Sequence, residues 1–221
     1  MQDAVAAAKR WGRQARQPIA RRNSSPFFAA SRCFRLARGV AVRYVAPPDF
    51  GAGIFLTLVY AASYALAACD VVATPADLAR EVISAERAYE GGELDTFAKA
   101  ITAANAVVPC LDGPLSPAIA AGFHRVAAFS AITRDDAPAA VAELRAVLVV
   151  EPQWQISEAI APPGNPNREA FDAAKIAGLG GSSLAHPPGG VVLYVDGSPV
   201  GTLPTERPYL LQAIRSDGRV V

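Results

Sequence analysis

The sequence predicts a mainly α protein, two antiparallel helical hairpins followed by a small C-terminal β-hairpin module. Three observations carry that expectation. Four stretches between residues 74 and 150 repeat apolar side chains at helical spacing behind capping residues. A Gly/Pro-rich run follows at 178–190, and a β-branched run, Val191-Val192-Leu193-Tyr194-Val195, then meets Asp196-Gly197. The chain thus divides into a basic leader (1–49), an apolar segment (50–68), a helical domain (69–177), a linker (178–190) and a β module (191–221).

The first helix opens at Thr74-Pro75-Ala76-Asp77, with a hydroxyl N-cap, proline at the first helical position and an acid near the positive end of the dipole. Leu78, Val82, Ala85 and Tyr89 share one face, and Gly91-Gly92 stops it. A second helix runs from about Leu94 to Val108, with Phe97, Ile101 and Ala104 on its apolar face and Pro109 at its end. So short a link makes the pair antiparallel. Ser116-Pro117 repeats the cap and opens a third helix to about Thr133, while Asp135, Asp136 and Pro138 begin a fourth, striped by Val141, Leu144 and Leu148. A short helix is expected near Arg168 to Ile176, and past the linker a further strand from Tyr209 to Ile214.

The segment Gly51 to Cys69 holds nineteen residues without a charge. Read as a secretory signal, its core runs from Ile54 to Leu66, and Ala65 and Ala67 fit cleavage between Ala67 and Ala68. Read as an uncleaved span it would cross about 30 Å of hydrocarbon, although six alanines and two glycines make it weakly apolar. A third reading comes from Leu66-Ala67-Ala68-Cys69, which resembles the bacterial lipobox and implies that Cys69 is lipidated as the mature N-terminus. All three place the following residues outside the cytoplasm, because Met1 to Asp49 carries ten Lys/Arg against two acids, whereas the remainder carries eleven against eighteen. The expectation is therefore an exported, periplasmic or envelope-associated protein. A signal's charged region is usually short, so a start at Val40 or Val42 is an alternative expectation for the leader.

The leader, with Pro18, Pro26, Pro47 and Pro48, reads as disordered, and its basic charge is expected to serve topology; no nucleic acid is expected as a partner. Cys69 and Cys110 fall at one end of the first hairpin, so an oxidising compartment would allow a disulfide between them. Lipidation of the Cys69 thiol competes with that bond. Cys33 lies in the leader.

From Asp136 to Glu151-Pro152 the chain resembles a tetratricopeptide repeat, with small Ala140, larger Leu144 and a closing acid-proline pair, although Pro109 and Pro152 repeat at forty-three residues rather than about thirty-four. The tail resembles a PEGA-type module, a β-rich appendage of bacterial surface proteins, on the strength of Val195-Asp196-Gly197, Val200-Gly201-Thr202 and Pro204. Its preceding Pro-x-Gly-Ala strand is missing and a strand should follow residue 221, so the module is expected to be atypical or incomplete. Together with Cys110-Leu111 and His124-Arg125, the arrangement also resembles a group of uncharacterised exported proteins of myxobacterial type, which implies no particular activity.

The search for chemistry is sparse. His124 sits mid-helix and His186 in the linker, and no HExxH, CxxC or GxSxG occurs. His124 is expected to pack or face solvent. Gly178 to Ser183 lacks the lysine of a phosphate loop, and Asp135, Asp136, Glu90 and Glu93 stand at helix termini where capping explains them. No catalytic residue, metal ligand or cofactor is therefore expected. The expected function is a non-enzymatic interaction or structural module, with a protein partner on the helical concavity or the β edge and the membrane reached through the signal or a lipid. The alternative is a ligand-binding or regulatory subunit of an envelope complex, or a lipoprotein anchored through Cys69.

Overall fold

Helix α1 (Pro75–Glu90) begins with a reciprocal cap: the Thr74 hydroxyl accepts the Asp77 N–H (3.3 Å) while the Asp77 carboxylate accepts the Thr74 N–H (2.8 Å). The Thr74 N–H and then the Thr74 hydroxyl, both donating to that carboxylate, pull Asp77 down to about 2 with help from Arg80. The computed structural model describes residues 43–45 (backbone only), 69 and 71–220. The rest of the leader with Cys33, the alternative start positions and the apolar segment with Ala67 and Ala68 lie outside the described residues.

Gly91-Gly92 turns the chain into α2 (Leu94–Val107), and a 3₁₀ turn at Val108–Cys110 carries Pro109. Helices α3 (Pro117–Thr133) and α4 (Ala137–Val150) form the second hairpin. Helix α5 (Pro166–Ala177) starts two residues earlier than the apolar spacing suggests, because Asn165 caps it by accepting the Asn167 N–H at 2.8 Å and Pro166 takes the first helical position. The helices pack α1 on α2 and α3, α3 on α4, and α4 on α5.

Tyr89 centres this packing. Its ring stacks on Phe129 of α3 (centroids 4.3 Å apart) and tilts against Phe97 of α2 (5.1 Å), while its hydroxyl donates to Asn167 of α5 at 2.8 Å. Burial pushes the hydroxyl up to about 12, against the pull of that hydrogen bond. Helices α1 and α3 approach closely at Gly122, where an added Cβ would lie 2.8 Å from Val82. Arg125 of α3 then ties α1 to the end of α4, donating to Glu86 (2.7 Å) and Glu151 (2.8 Å) beside the Trp154 ring.

The mainly α fold with a C-terminal β module is thus present, and both belong to one compact unit. Strands β3 (Val191–Val195), β4 (Ser198–Val200) and β6 (Tyr209–Arg215) lie antiparallel, and β1 (Arg43–Val45) completes the order β1-β6-β3-β4. Asp196 (φ 51°) and Gly197 (φ 80°) both take positive φ, the signature of the type I′ turn that an Asp-Gly pair favours. Two strands fall where the sequence suggests none. Arg43–Val45, within the basic leader, pairs with Leu211–Tyr209, and Ser182–Leu184 (β2), within the expected linker, pairs with Pro204–Thr202 of β5 (Thr202–Pro204).

Cys69 and Cys110 are bonded, with Cα atoms 5.5 Å apart. The flanking backbone also pairs: Ala73 N–H donates to Cys110 O (2.9 Å) and Asp112 N–H to Ala73 O (3.0 Å). Closing a loop of this length stabilises by about 4 kcal/mol on the chain-entropy account. The Cys110→Ser variant should therefore melt roughly 10 °C lower than the oxidised wild type, and reductant should lower only the wild type; calorimetry with and without reductant checks both.

Candidate functional site

The β module meets the helices through a chain of buried charged groups. His124 of α3 has no exposed surface, and both of its ring nitrogens are engaged: Nδ1 lies 2.7 Å from Glu143 Oε2 on α4, and Nε2 lies 3.0 Å from Asp196 Oδ1 in the β3–β4 turn. Asp196 in turn accepts from Arg207 Nη1 at 2.7 Å and from the Leu210 N–H at 2.8 Å. Arg207 also donates to the Pro208 carbonyl at 3.0 Å. Glu143, Asp196 and Arg207 are all buried.

Local structure places each group. In α4 the buried positions Ala140, Glu143, Leu144 and Val147 recur at three and four residues, so Glu143 stands on the inward stripe. His124 likewise follows Ala120 by four residues and precedes Ala128 by four on α3. Asp196 projects from the tight turn because its left-handed backbone, tolerated by aspartate, aims the carboxylate back at Leu210.

The surrounding contacts fix the docking. Gln212 on β6 takes the Leu115 N–H on its Oε1 (2.8 Å) and gives its Nε2–H to the Gly113 carbonyl (2.9 Å), so one side chain satisfies the loop before α3. The Gly197 turn presses on the same loop: an added Cβ would stand 2.6 Å from Pro117 N and Ser116 C. Arg145 of α4 adds bonds to the carbonyls of Gly178 (3.0 Å) and Glu206 (3.1 Å).

Burial and charge set the protonation states. Desolvation pushes the Glu143 carboxyl well above the ordinary 4.5, with the Asp196 charge adding to it and Arg207 opposing it. Desolvation would raise Asp196 as well, but the hydrogen bond and charge of His124, then Arg207 and the Leu210 N–H, outweigh it and hold it below the ordinary 3.8. Burial thus pushes one carboxyl up, while the charges and hydrogen bonds around the other hold it down.

Chemically the arrangement is a chain that runs through both imidazole nitrogens. The two imidazole nitrogens point to opposite carboxylates, so the group shares no centre for an ion, and among the described residues no acid, histidine and cysteine cluster fit for a metal occurs. The residues singled out by their sequence context fare differently. Cys69 and Cys110 come together; His186, Glu90, Glu93 and Asp135 are exposed and apart from the junction, and Asp136 caps α4 through the Ala139 N–H (3.1 Å). His124 packs inside rather than facing solvent, and its partners Glu143, Asp196 and Arg207 escape sequence reasoning. The one available signal is an acid on the apolar stripe of α4.

Among the described residues no helix is long and apolar enough to cross a membrane. The chain matches no protein-family model, no curated protein and no solved structure.

Two variants probe the junction. Asp196→Asn leaves Arg207 buried without its counter-charge and should cost about 3–5 kcal/mol in denaturant unfolding. Gly197→Ala combines a strained positive φ with backbone overlap and should cost about 3 kcal/mol. Because Asp196 titrates below its unfolded value, its contribution should be complete above the ordinary 3.8 and disappear as pH falls through the folded value, seen as an acid unfolding limb missing from Asp196→Asn.

Proposed function

We propose that this is an exported envelope protein whose TPR-like helical hairpins and PEGA-like β appendage act as one non-enzymatic interaction module. The buried junction is the observation that carries this reading. It commits a buried histidine, two carboxyl groups and an arginine to fixing the sheet against the helices, which suits the presentation of a rigid composite surface. The Cys69–Cys110 bond supports an oxidising compartment.

The surface offered is the outer edge of β6. Leu210 turns both its N–H and its C=O to Asp196, so by strand alternation Tyr209 and Leu211 direct theirs to β1. Strand β1 precedes the apolar segment, so cleavage between Ala67 and Ala68 would remove it and leave that edge unpaired. An extended strand of a partner protein, antiparallel to Tyr209–Leu211 as β1 is, fits the vacated position. The lipoprotein reading stays as the second, because Leu66 to Cys69 carries the motif, and it requires the thiol that the disulfide consumes.

The intact mass of the protein from membrane and soluble fractions, with and without reductant, tests this. A chain beginning at Ala68 and two hydrogens lighter than its reduced form is the expected result. A diacyl or triacyl adduct beginning at Cys69 would establish the lipoprotein, and full-length mass from Met1 would overturn export by cleavage.

A further inference from the structure

We propose that β1 is a removable cover on the Tyr209–Leu211 edge of β6, and that its seat there and the passage of residues 51–68 across a membrane exclude each other. The edge then opens only in chains that have crossed. This rests on the export proposed above; the cover itself rests on the strand pairing.

The four-stranded sheet ends in two edges, and they are closed in different ways. Strand β4 is three residues long, and because Ser198 pairs with Val195 to close the turn, the next backbone nitrogen outward belongs to Pro199, which has no N–H. That edge is blunt. On β6 the chain's own return closes the far half: Ile214 bridges Val220, and the Arg215 N–H donates to Arg219 O at 2.9 Å. What remains is Tyr209 to Leu211, the seat of β1, which spans three residue pairs. So short a ladder exchanges its hydrogen bonds for water at little net cost, which makes β1 a cover rather than a part of the frame.

Chain length makes the cover conditional. Val45 is held on β6, while Ala73 is held by Cys110 and Asp112, and all of these belong to one compact unit. With β1 seated, both ends of the intervening twenty-seven residues (46–72) therefore lie on one side of any membrane. Leaving and returning through about 30 Å of hydrocarbon takes two helical crossings of about 20 residues each, since backbone within lipid must satisfy its own hydrogen bonds. Twenty-seven residues supply one crossing. That crossing sets Arg43–Val45 on the opposite side from β6 and empties the seat, whether or not the chain is later cut.

The consequence is an ordered exposure. Before crossing, an open edge is a hazard, because it pairs with any available strand. The cover prevents that. The leader is net basic and the body net acidic, so charge favours the seat until the two are separated. After crossing, the vacated seat takes an antiparallel partner strand of the same three-residue reach, bounded on one side by the Ile214–Val220 bridge.

Site-directed photo-crosslinking of the full-length chain in spheroplasts of an expressing bacterial host tests this. Tyr44→p-benzoylphenylalanine places the probe opposite Leu210 of β6, and Ala67→Leu removes the small residue at the cleavage site, so that leader and body stay joined. After irradiation, a membrane-impermeant amine reagent marks exposed Lys99 in chains whose body lies outside. Crosslinks from position 44 to 209–211 should occur in unmarked chains and be at least about tenfold rarer in marked ones, as a seat that crossing empties requires. With Val45→Pro added, which removes an N–H facing Tyr209, the yield in unmarked chains should fall at least about fivefold. Equal crosslinking of marked and unmarked chains overturns the exclusion and leaves export standing. No crosslink in unmarked chains, or a yield indifferent to Val45→Pro, overturns the cover. A body that is never marked overturns export, and this inference with it.

Discussion

Everything at the centre of this molecule depends on keeping an imidazole wholly out of water between two carboxyl groups. Desolvating such groups costs several kcal/mol apiece, and their mutual attraction returns that only when geometry and hydrogen bonding are complete. His124 alone on α3 would be a liability; with Glu143 on α4, Asp196 from the sheet and Arg207 behind Asp196, every polar atom is answered, and among the described residues no buried side-chain donor or acceptor lacks a partner. A hydrophobic junction of equal volume would be as stable or more so. What the charged one adds is selectivity: an apolar face tolerates sliding, whereas a sheet displaced by one residue would turn Asp196 away from His124 and strand Arg207.

That selectivity explains the close fit around the turn. Gly197 lies against the backbone of Ser116 and Pro117, and Gln212 bridges Gly113 and Leu115, contacts that permit no second register. The Asp-Gly pair consequently serves twice. Its positive φ angles reverse the chain between β3 and β4, and the same conformation aims the carboxylate into the protein.

The helices are legible in the sequence because their signals are local: caps at Thr74, Ser116 and Asp136, apolar spacing, and glycine or proline stops. The hairpin at Asp196-Gly197 is legible for the same reason. Strand β2 is not, since Ser182-Ser183-Leu184 has no strand pattern and is extended only because β5 pairs with it; β1 gives no signal amid a basic, proline-bearing leader. The junction is harder still. Its members come from positions nineteen and seventy-two residues from His124, a separation no periodicity reports. Asp196 reads as a turn residue, which it is, and that sufficient explanation hides its second role. Glu143 alone leaves a trace, as an acid among Ala140, Leu144 and Val147 on a buried stripe.

The connection from Cys110 to Pro117 joins the two constraints on the fold. Cys110 is held by Cys69, and its carbonyl and the Asp112 N–H pair with Ala73. Three residues later Leu115 is bound by Gln212 and covers the Gly197 turn. The disulfide therefore anchors the same short segment on which the β module rests, at its opposite end. The β module inherits its position from two sources, a covalent bond upstream and a buried ion network beneath. The first fixes where the loop begins, and the second fixes what docks upon it, so neither alone determines the surface.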